Sequence, residues 1–358
     1  MIDTSREYKV VGMMSGTSLD GMDLAYCTFL YKSNTWHYLI RQAETIPYPN
    51  EWKDKLSNLP RETDENIQKT NQEYGKYIGD TIAAFIEKLS TKPDLIASHG
   101  HTVFHDPFRG FTLQIGDGKT IVKRTGITVI NDFRSKDLIF GGQGAPLVPI
   151  GDKLLFHEYK YCLNLGGFAN ISFDQGKQRI GFDIGPCNLL LNILSRSLSK
   201  EFDENGNLAR QGEVIDKLFH QLNDLSYYNE APPKSLGKEW LDEYVLPIAD
   251  KANEDPHDLL RTCTEHVAFQ VSRVFKKEDN IKVLVTGGGA YNGFLLERMH
   301  HLSGQEFIVP DDLTVQFKEA LVFAFLGVLR IRKENNILSS VTGSSKDHSA
   351  GTINRPDR

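Results

Sequence analysis

The chain has 358 residues, of which 40% are hydrophobic and 25% charged, with a formal net charge of −6 at pH 7. That length allows two domains with full cores, and the composition is that of a soluble globular protein. The acidic balance argues against a nucleic acid or an anionic membrane as partner. The N-terminus MIDTSREYKV has no apolar run, so no signal peptide is expected. The longest apolar run, Ala320 to Leu329, falls short of the ~20 residues of a membrane span and reads as a buried helix. Cys27, Cys162, Cys187 and Cys263 are scattered with no CxxC, which predicts neither disulfides nor a zinc cluster and makes a reduced cytoplasm the default.

The first predicted element is a hairpin within VVGMMSGTSLDGMD, Val10 to Asp23. Val10 and Val11 enter a turn of Gly12, Ser15, Gly16, Thr17, Ser18, Asp20 and Gly21, and Leu24 to Leu30 leaves it. Glycines let backbone N–H groups approach an anion closely, and the hydroxyls add donors. Asp20 or Asp23 could hold a metal bound to phosphates. An ordinary Gly/Ser/Asp hairpin has the same composition.

A helix over Asn66 to Lys88 and a short strand, Leu95 to Ala97, follow, ending in Ser98, His99 and Gly100. His99, His101 and His105 in SHGHTVFHDP alternate as on a strand, and a sugar-binding or structural role fits them better than a metal. GDGKT, Gly116 to Thr120, is no P-loop, because Leu113 stands where its first glycine belongs. GxGxxG and GxSxG are both missing, which argues against a dinucleotide enzyme and an α/β-hydrolase. Gly141, Gly142, Gly144 and Pro146 suggest a domain boundary near Ile130 to Pro149. Arg134, beside them, could grip an anion bidentately or form a surface ion pair with Asp132 or Asp137.

The second half repeats the plan. A strand Tyr161 to Leu165, a Gly166-Gly167 turn and a strand Asn170 to Phe173 lead through DQGK to a strand Arg179 to Phe182. In GFDIGPCN the strand ends at Asp183, Gly185 turns, and Pro186 starts a helix whose outward N–H groups favour an anion. Asp183 could act there as a general base or simply cap the helix. A helix Asp258 to Lys277 places Leu260, Val267, Val271 and Val274 on one face. A strand Lys282 to Val285 then opens VTGGGAYNGFLLERM, where three glycines leave room for a flat ring or a phosphate. The Ser-, Gly- and Lys-rich tail after Asn335 is expected to be loosely ordered. Each half thus runs hairpin, helix, strand, glycine loop, a repeat of pattern rather than of sequence.

In this order, MSGTSLDGMD, SHGHTVFHDP, INDFRSKDLIFGGQGAPLVP, NLGGFANIS, FDIGPCN, PPKSLGKEW and VTGGGAYN closely resemble the anhydro-N-acetylmuramic acid kinases of bacterial cell-wall recycling, from about Val10 to Leu329. The resemblance implies the superfamily of sugar kinases, actin and heat-shock chaperone ATPases. It implies an α/β fold with two domains of related actin-like ATPase (ribonuclease H-like) topology around a central cleft. Domain I would be 1–130 with the phosphate-loop hairpin, joined by the tail 336–358. Domain II would be 131–335, carrying the catalytic aspartate and the adenosine side. The implied reaction opens the 1,6-anhydro ring with water and phosphorylates O6 from ATP. The implied roles are Asp183 as general base, and Gly16, Thr17, Ser18, Leu19, Asp20, Gly21, Met22 and Asp23 as the phosphate loop. Mg²⁺ would lie near Asp20 or Asp23. Gly166, Gly167, Gly287, Gly288 and Gly289 would face the nucleotide. His99, Arg134 and Glu319 (in QFKEALVFAF) would meet an amino-sugar substrate. Glu319 could otherwise be a carboxylate favoured by a helix dipole. A cytoplasmic homodimer is implied, with neither nucleic acid nor membrane as partner.

Several positions depart from the family pattern. Ile184 and Cys187 give DIGPCN in place of DTGPGN. Asn192 replaces an aspartate, His101 a glutamine and Leu236 a threonine. These departures leave two alternatives open: a kinase of the same fold for another sugar, or a non-catalytic ATP-binding relative.

Overall fold

The computed structural model describes residues 6–16, 19–252, 254–275 and 281–357. Thr17 and Ser18, expected in the phosphate loop, lie outside the described residues. The chain divides into two compact units, one of Met1–Leu155 with Phe317–Arg358 and one of Phe156–Gln316. The expected division at residue 130 thus moves to 155, and residues 317–335 fall in the first unit. The Gly141–Gly144 cluster is a packed loop rather than a linker: the buried Asp137 accepts from the Gly144 amide at 2.7 Å and the Thr342 hydroxyl at 2.9 Å.

In the first unit β1 (Glu7–Ser15), β2 (Gly21–Lys32) and β3 (Thr35–Pro47) form an antiparallel meander. β4 (Leu95–Asp106) runs parallel to β1, β5 (Phe111–Ile115) folds back on the far half of β4, and β6 (Thr128–Asn131) runs parallel to β4. Val10, Val11 and Met13 have no exposed surface, as in a strand covered on both faces. Helix Asp64–Glu87, capped by Thr63, buries Ile67, Tyr74, Ile78, Ile82 and Phe85, one stripe at helical spacing. The apolar run Ala320 to Leu329 lies inside helix Asp312–Ile331, with Leu321 to Leu326 fully buried, as a helix apolar all round requires. That helix comes so close to β1 that a Cβ on Gly12 would stand 2.0 Å from the Ala320 carbonyl oxygen.

In the second unit β7 (Tyr161–Leu165), β8 (Phe168–Gln175) and β9 (Gln178–Pro186) form another antiparallel meander. β10 (Lys282–Thr286) is parallel to β7 and β11 (Glu306–Ile308) is parallel to β10. The orders are β3-β2-β1-β4-β6 and β9-β8-β7-β10-β11. These are the same ribonuclease H-like order with the same directions, so the sequence-level repeat is a repeat of topology. Helix Pro256–Ser272 buries Leu260, Val267 and Val271. Val274, expected on the same face, lies past its end.

The tail is ordered, contrary to expectation. Asn336 is fully buried and ties Leu326 to Ala350 through its side chain. β12 (Thr352–Asn354) then adds antiparallel to β6. Among the described residues no helix is long and apolar enough to cross a membrane.

Candidate active site

The first hairpin is tighter than its composition suggests. Ser15 pairs with Met22, so Gly12 and Ser15 belong to β1 and Gly21 opens β2. Leu19 is left-handed at φ 59, which costs an L-residue roughly 1–2 kcal/mol; packing of its side chain on the first core offsets that. A Cβ on Gly21 would meet the Ile46 carbonyl oxygen at 2.6 Å. Behind the loop the Tyr48 hydroxyl donates to Ser15 Oγ at 2.7 Å, and Ser15 Oγ lies 3.0 Å from His101 Nδ1. Burial pushes His101 down to about 4, so its ring is neutral.

Asp23 accepts a hydrogen bond from the Thr45 hydroxyl at 2.6 Å. Its carboxyl is raised above the usual range by burial, with Asp20 adding to the rise. Among the described residues no group of three or more His, Cys, Asp or Glu side chains could hold a metal. A pair of carboxylates such as Asp20 and Asp23 nonetheless suits Mg²⁺, which keeps several waters and phosphate oxygens as ligands.

Also in the first unit, Arg134, His99 and Glu319 come together. Arg134 Nη1 donates to the Gly144 carbonyl at 2.7 Å, and its Nε and Nη2 reach His99 Nε2 at 3.1 and 2.9 Å. Neither Asp132 nor Asp137, its expected ion-pair partners, takes the guanidinium: they accept from the amides of Ser135 and Gly144. Burial pushes Arg134 down to about 10, with the charge of Glu319 opposing. The Glu319 carboxyl is raised by desolvation, while Arg134 draws it down. A break in helical dihedrals at Phe317 (φ −113, ψ 16) divides Asp312–Ile331 into two helices, so Glu319 stands in the first turn of the second, apolar one. The buried Lys318–Asp152 ion pair, 2.7 Å, fixes that stretch.

In the second unit Asp183 lies within β9, and three hydrogen bonds hold it. Its amide donates to the Lys234 carbonyl at 3.2 Å, its carbonyl accepts from the Tyr227 hydroxyl at 2.6 Å, and its Oδ2 accepts from the Leu236 amide at 2.9 Å. Burial raises the carboxyl; the Leu236 amide partly offsets this. The capping alternative falls, because the following helix, Asn188–Ser197, has Cys187 at its N-cap. Pro186 ends β9 rather than starting that helix. The expected outward amides are also spent: those of Cys187, Asn188 and Leu189 donate to the carbonyls of Gly166 and Gly167. Gly166 and Gly167 therefore dock the helix onto the β7–β8 turn. Ile184 and Cys187 sit buried in the core of the unit.

A cavity of about 570 Å³ opens in the same unit. Gly288 and Gly289 line it, and so do Asn192 and Asn188. Phe202, Asn205 and Tyr291 line it too, and the sequence did not single them out. Asn205 and Tyr291 lie in the 3-10 turns Glu204–Gly206 and Gly288–Tyr291, so no strand or helix periodicity marks them. Gly287 turns β10 toward the cavity at φ 83, where a Cβ would strike Asn164 and Leu165 at under 3.0 Å.

The family description "Anhydro-N-acetylmuramic acid kinase" matches residues 8–356. A protein of that name from Acinetobacter baylyi is 36% identical, covering 96% of this chain and 98% of its own. One from Sulfurovum sp. is 34% identical over 96% and 98%, and one from Coxiella burnetii 34% over 96% and 97%. Among solved structures, the activator of 2-hydroxyisocaproyl-CoA dehydratase from Clostridium difficile aligns loosely, with a TM-score of 0.41, 15% identity and coverage of 91% and 97%. The chain belongs to the anhydro-N-acetylmuramic acid kinase family.

Proposed function

We propose that the protein uses Mg·ATP to convert 1,6-anhydro-N-acetylmuramic acid to N-acetylmuramic acid 6-phosphate and ADP. Water adds to the anomeric carbon as the C1–O6 bond breaks. O6 takes the γ-phosphoryl group, the bond to the β–γ bridging oxygen breaks, and ADP leaves. Asp183 accepts the proton of the water.

The Asp183 carboxylate carries this assignment. One oxygen is held by the Leu236 amide, and among the described residues Oδ1 has no hydrogen-bond partner, so it is free to take a proton. A carboxyl raised by burial is a stronger base than an exposed aspartate. Leu236, where the family has threonine, contributes through its main chain, so that departure spares the contact.

The cavity lined by Gly288, Gly289 and Tyr291 would receive the adenosine, and the loop Gly16–Asp23 the phosphates. Asp20 and Asp23 would hold Mg²⁺, which neutralises phosphate charge when bound. Arg134 and Glu319 would bind the sugar, a cation and a carboxylate suited to its acidic and hydroxyl groups. A cytoplasmic homodimer completes the reading, and the four cysteines, all buried thiols, accord with a reducing compartment.

Mass spectrometry of the sugar after incubation with Mg·ATP tests this. The product should gain one phosphoryl group and one water. A phosphorylated sugar that retains its anhydro bridge, or no product, would refute it.

A further inference from the structure

The segment from Tyr227 to Leu236 touches Asp183 at its amide, its carbonyl and its carboxylate. Tyr227 belongs to the 3-10 turn Ser226–Asn229. Its ring packs on Trp240 at 5.3 Å. Lys234 closes the segment on itself: its Nζ donates to the Tyr227 carbonyl at 2.9 Å and stands 4.3 Å from the centre of the Tyr227 ring. The next residue of the turn is also braced. Tyr228 lies under Gly185, where a Cβ would meet its hydroxyl at 3.1 Å. That hydroxyl lies 2.9 Å from His266 Nε2, and His266 Nδ1 lies 2.7 Å from Asn223 Oδ1. The turn is therefore anchored to the buried face of helix Pro256–Ser272, at His266.

An ordinary surface loop would not spend a hydroxyl, a carbonyl and an amide on one residue of a strand. We infer that Tyr227, with Lys234 behind it, is a positioning residue that sets the placement of the Asp183 carboxylate by holding the segment that ends in the Leu236 amide. The inference rests on the assignment of Asp183 as base. Tyr227 touches no reacting atom; it works through the Asp183 carbonyl and the strap. The titratable or charged groups beside Asp183 are Tyr227 and Lys234, with Glu230 next to both, Tyr228 next to Tyr227 and Arg273 next to Lys234.

Removing the Tyr227 hydroxyl frees the strap, and the Leu236 amide then bonds the carboxylate less well. An amide bond to the ionised form lowers a carboxyl pKa, so its loss raises it. The acid limb of the kcat/KM profile should therefore move to higher pH.

The test measures Tyr227→Phe, Lys234→Met and Asp183→Asn alongside the wild type. The readouts are kcat, KM for ATP, the acid limb of kcat/KM against pH, and nucleotide affinity by calorimetry as a check of folding. Tyr227→Phe should lose roughly tenfold in kcat, part of the 10²–10⁴ that a positioned base contributes. Its acid limb should rise by about half a pH unit, with KM for ATP unchanged. Lys234→Met should change in the same direction and decides the matter if Tyr227→Phe does not fold. Folded variants with a wild-type kcat and an unmoved limb would overturn the inference. If Asp183→Asn kept its turnover, the base assignment itself would fail. If Asp183→Asn were dead and the strap variants normal, only the strap would.

Discussion

Arg134 makes two hydrogen bonds to a single atom: its Nε and Nη2 converge on His99 Nε2 at 3.1 and 2.9 Å. His99 Nδ1 lies 3.0 Å from the Gly100 carbonyl, so the proton sits on Nδ1 and Nε2 is the acceptor. Burial first, and the guanidinium second, hold this imidazole well below its ordinary range. Both ring nitrogens are spent within the protein, so any contribution of His99 to sugar binding runs through the aim of Arg134. His99→Leu should raise the sugar KM about tenfold, the worth of one hydrogen bond to a charged group, and leave the ATP KM unchanged. His99→Gln, which keeps an acceptor, should fall between. Steady-state kinetics with each substrate varied checks both.

Gly287 and Gly288 are neighbours with opposite expectations. Gly287 has φ 83 and no room for a Cβ, whereas a Cβ on Gly288 would meet only Asn188 Nδ2, at 3.6 Å. Gly287→Ala should destabilise the fold by more than about 1 kcal/mol through backbone strain and overpacking. Gly288→Ala should melt as the wild type does while binding ATP several-fold more weakly, because its methyl enters the cavity. Thermal unfolding together with nucleotide titration separates the two.

Acid should loosen the fold through its buried histidines. His99, His101 and His266 all have folded pKa values below the unfolded value, His101 at about 4 and His266 at about 3. Below pH 6.5 the unfolded chain takes up protons that the folded chain refuses, so stability falls as the pH drops. Each such histidine contributes up to roughly 1.4 kcal/mol per pH unit in that window. Asp23, Asp183 and Glu319, with raised carboxyls, act in the opposite direction at and above about pH 4. Comparison with His101→Gln between pH 6.5 and 5 isolates the histidine slope, because the raised carboxyls act equally in both proteins. Urea midpoints at pH 7, 6 and 5 should fall in that order, and His101→Gln should flatten the trend by about one proton.

Gly12→Ala should be among the most damaging single-methyl additions in the chain. The new Cβ would overlap the Ala320 carbonyl oxygen at 2.0 Å and Ala324 Cβ at 2.9 Å, pushing β1 from the helix behind it. A loss of about 2 kcal/mol or more is expected, visible as a lower Tm or as insoluble protein.

Much of this fold is written locally. Val10 and Val11, the loop glycines and the apolar stretch from Leu24 announce the first hairpin, and Tyr161 to Phe182 announce the second in the same way. Other features depend on partners distant in sequence. Ser98, His99 and Gly100 look like the end of a strand, yet pairing with β1 and β5 carries β4 on to Asp106. The cluster of Gly141, Gly142 and Gly144 reads as a linker until Asp137 and Thr342 are seen to pack it. The helix start after Pro186 reads as an anion site until the carbonyls of Gly166 and Gly167 are found on its amides. Asp183 stood out within GFDIGPCN, although β9 runs past it to Pro186. Leu236 showed only as a departure within PPKSLGKEW and Tyr227 did not show, because hydrogen bonds spanning 53 and 44 residues leave no local signal.

The most direct measurement of the central claim is ADP release from Mg·ATP in a coupled assay, with 1,6-anhydro-N-acetylmuramic acid, N-acetylmuramic acid and N-acetylglucosamine as separate acceptors. The account predicts rapid release with the anhydro sugar and little with the two open sugars. Release that ignores the anhydro sugar, or that is faster with an open one, would contradict it.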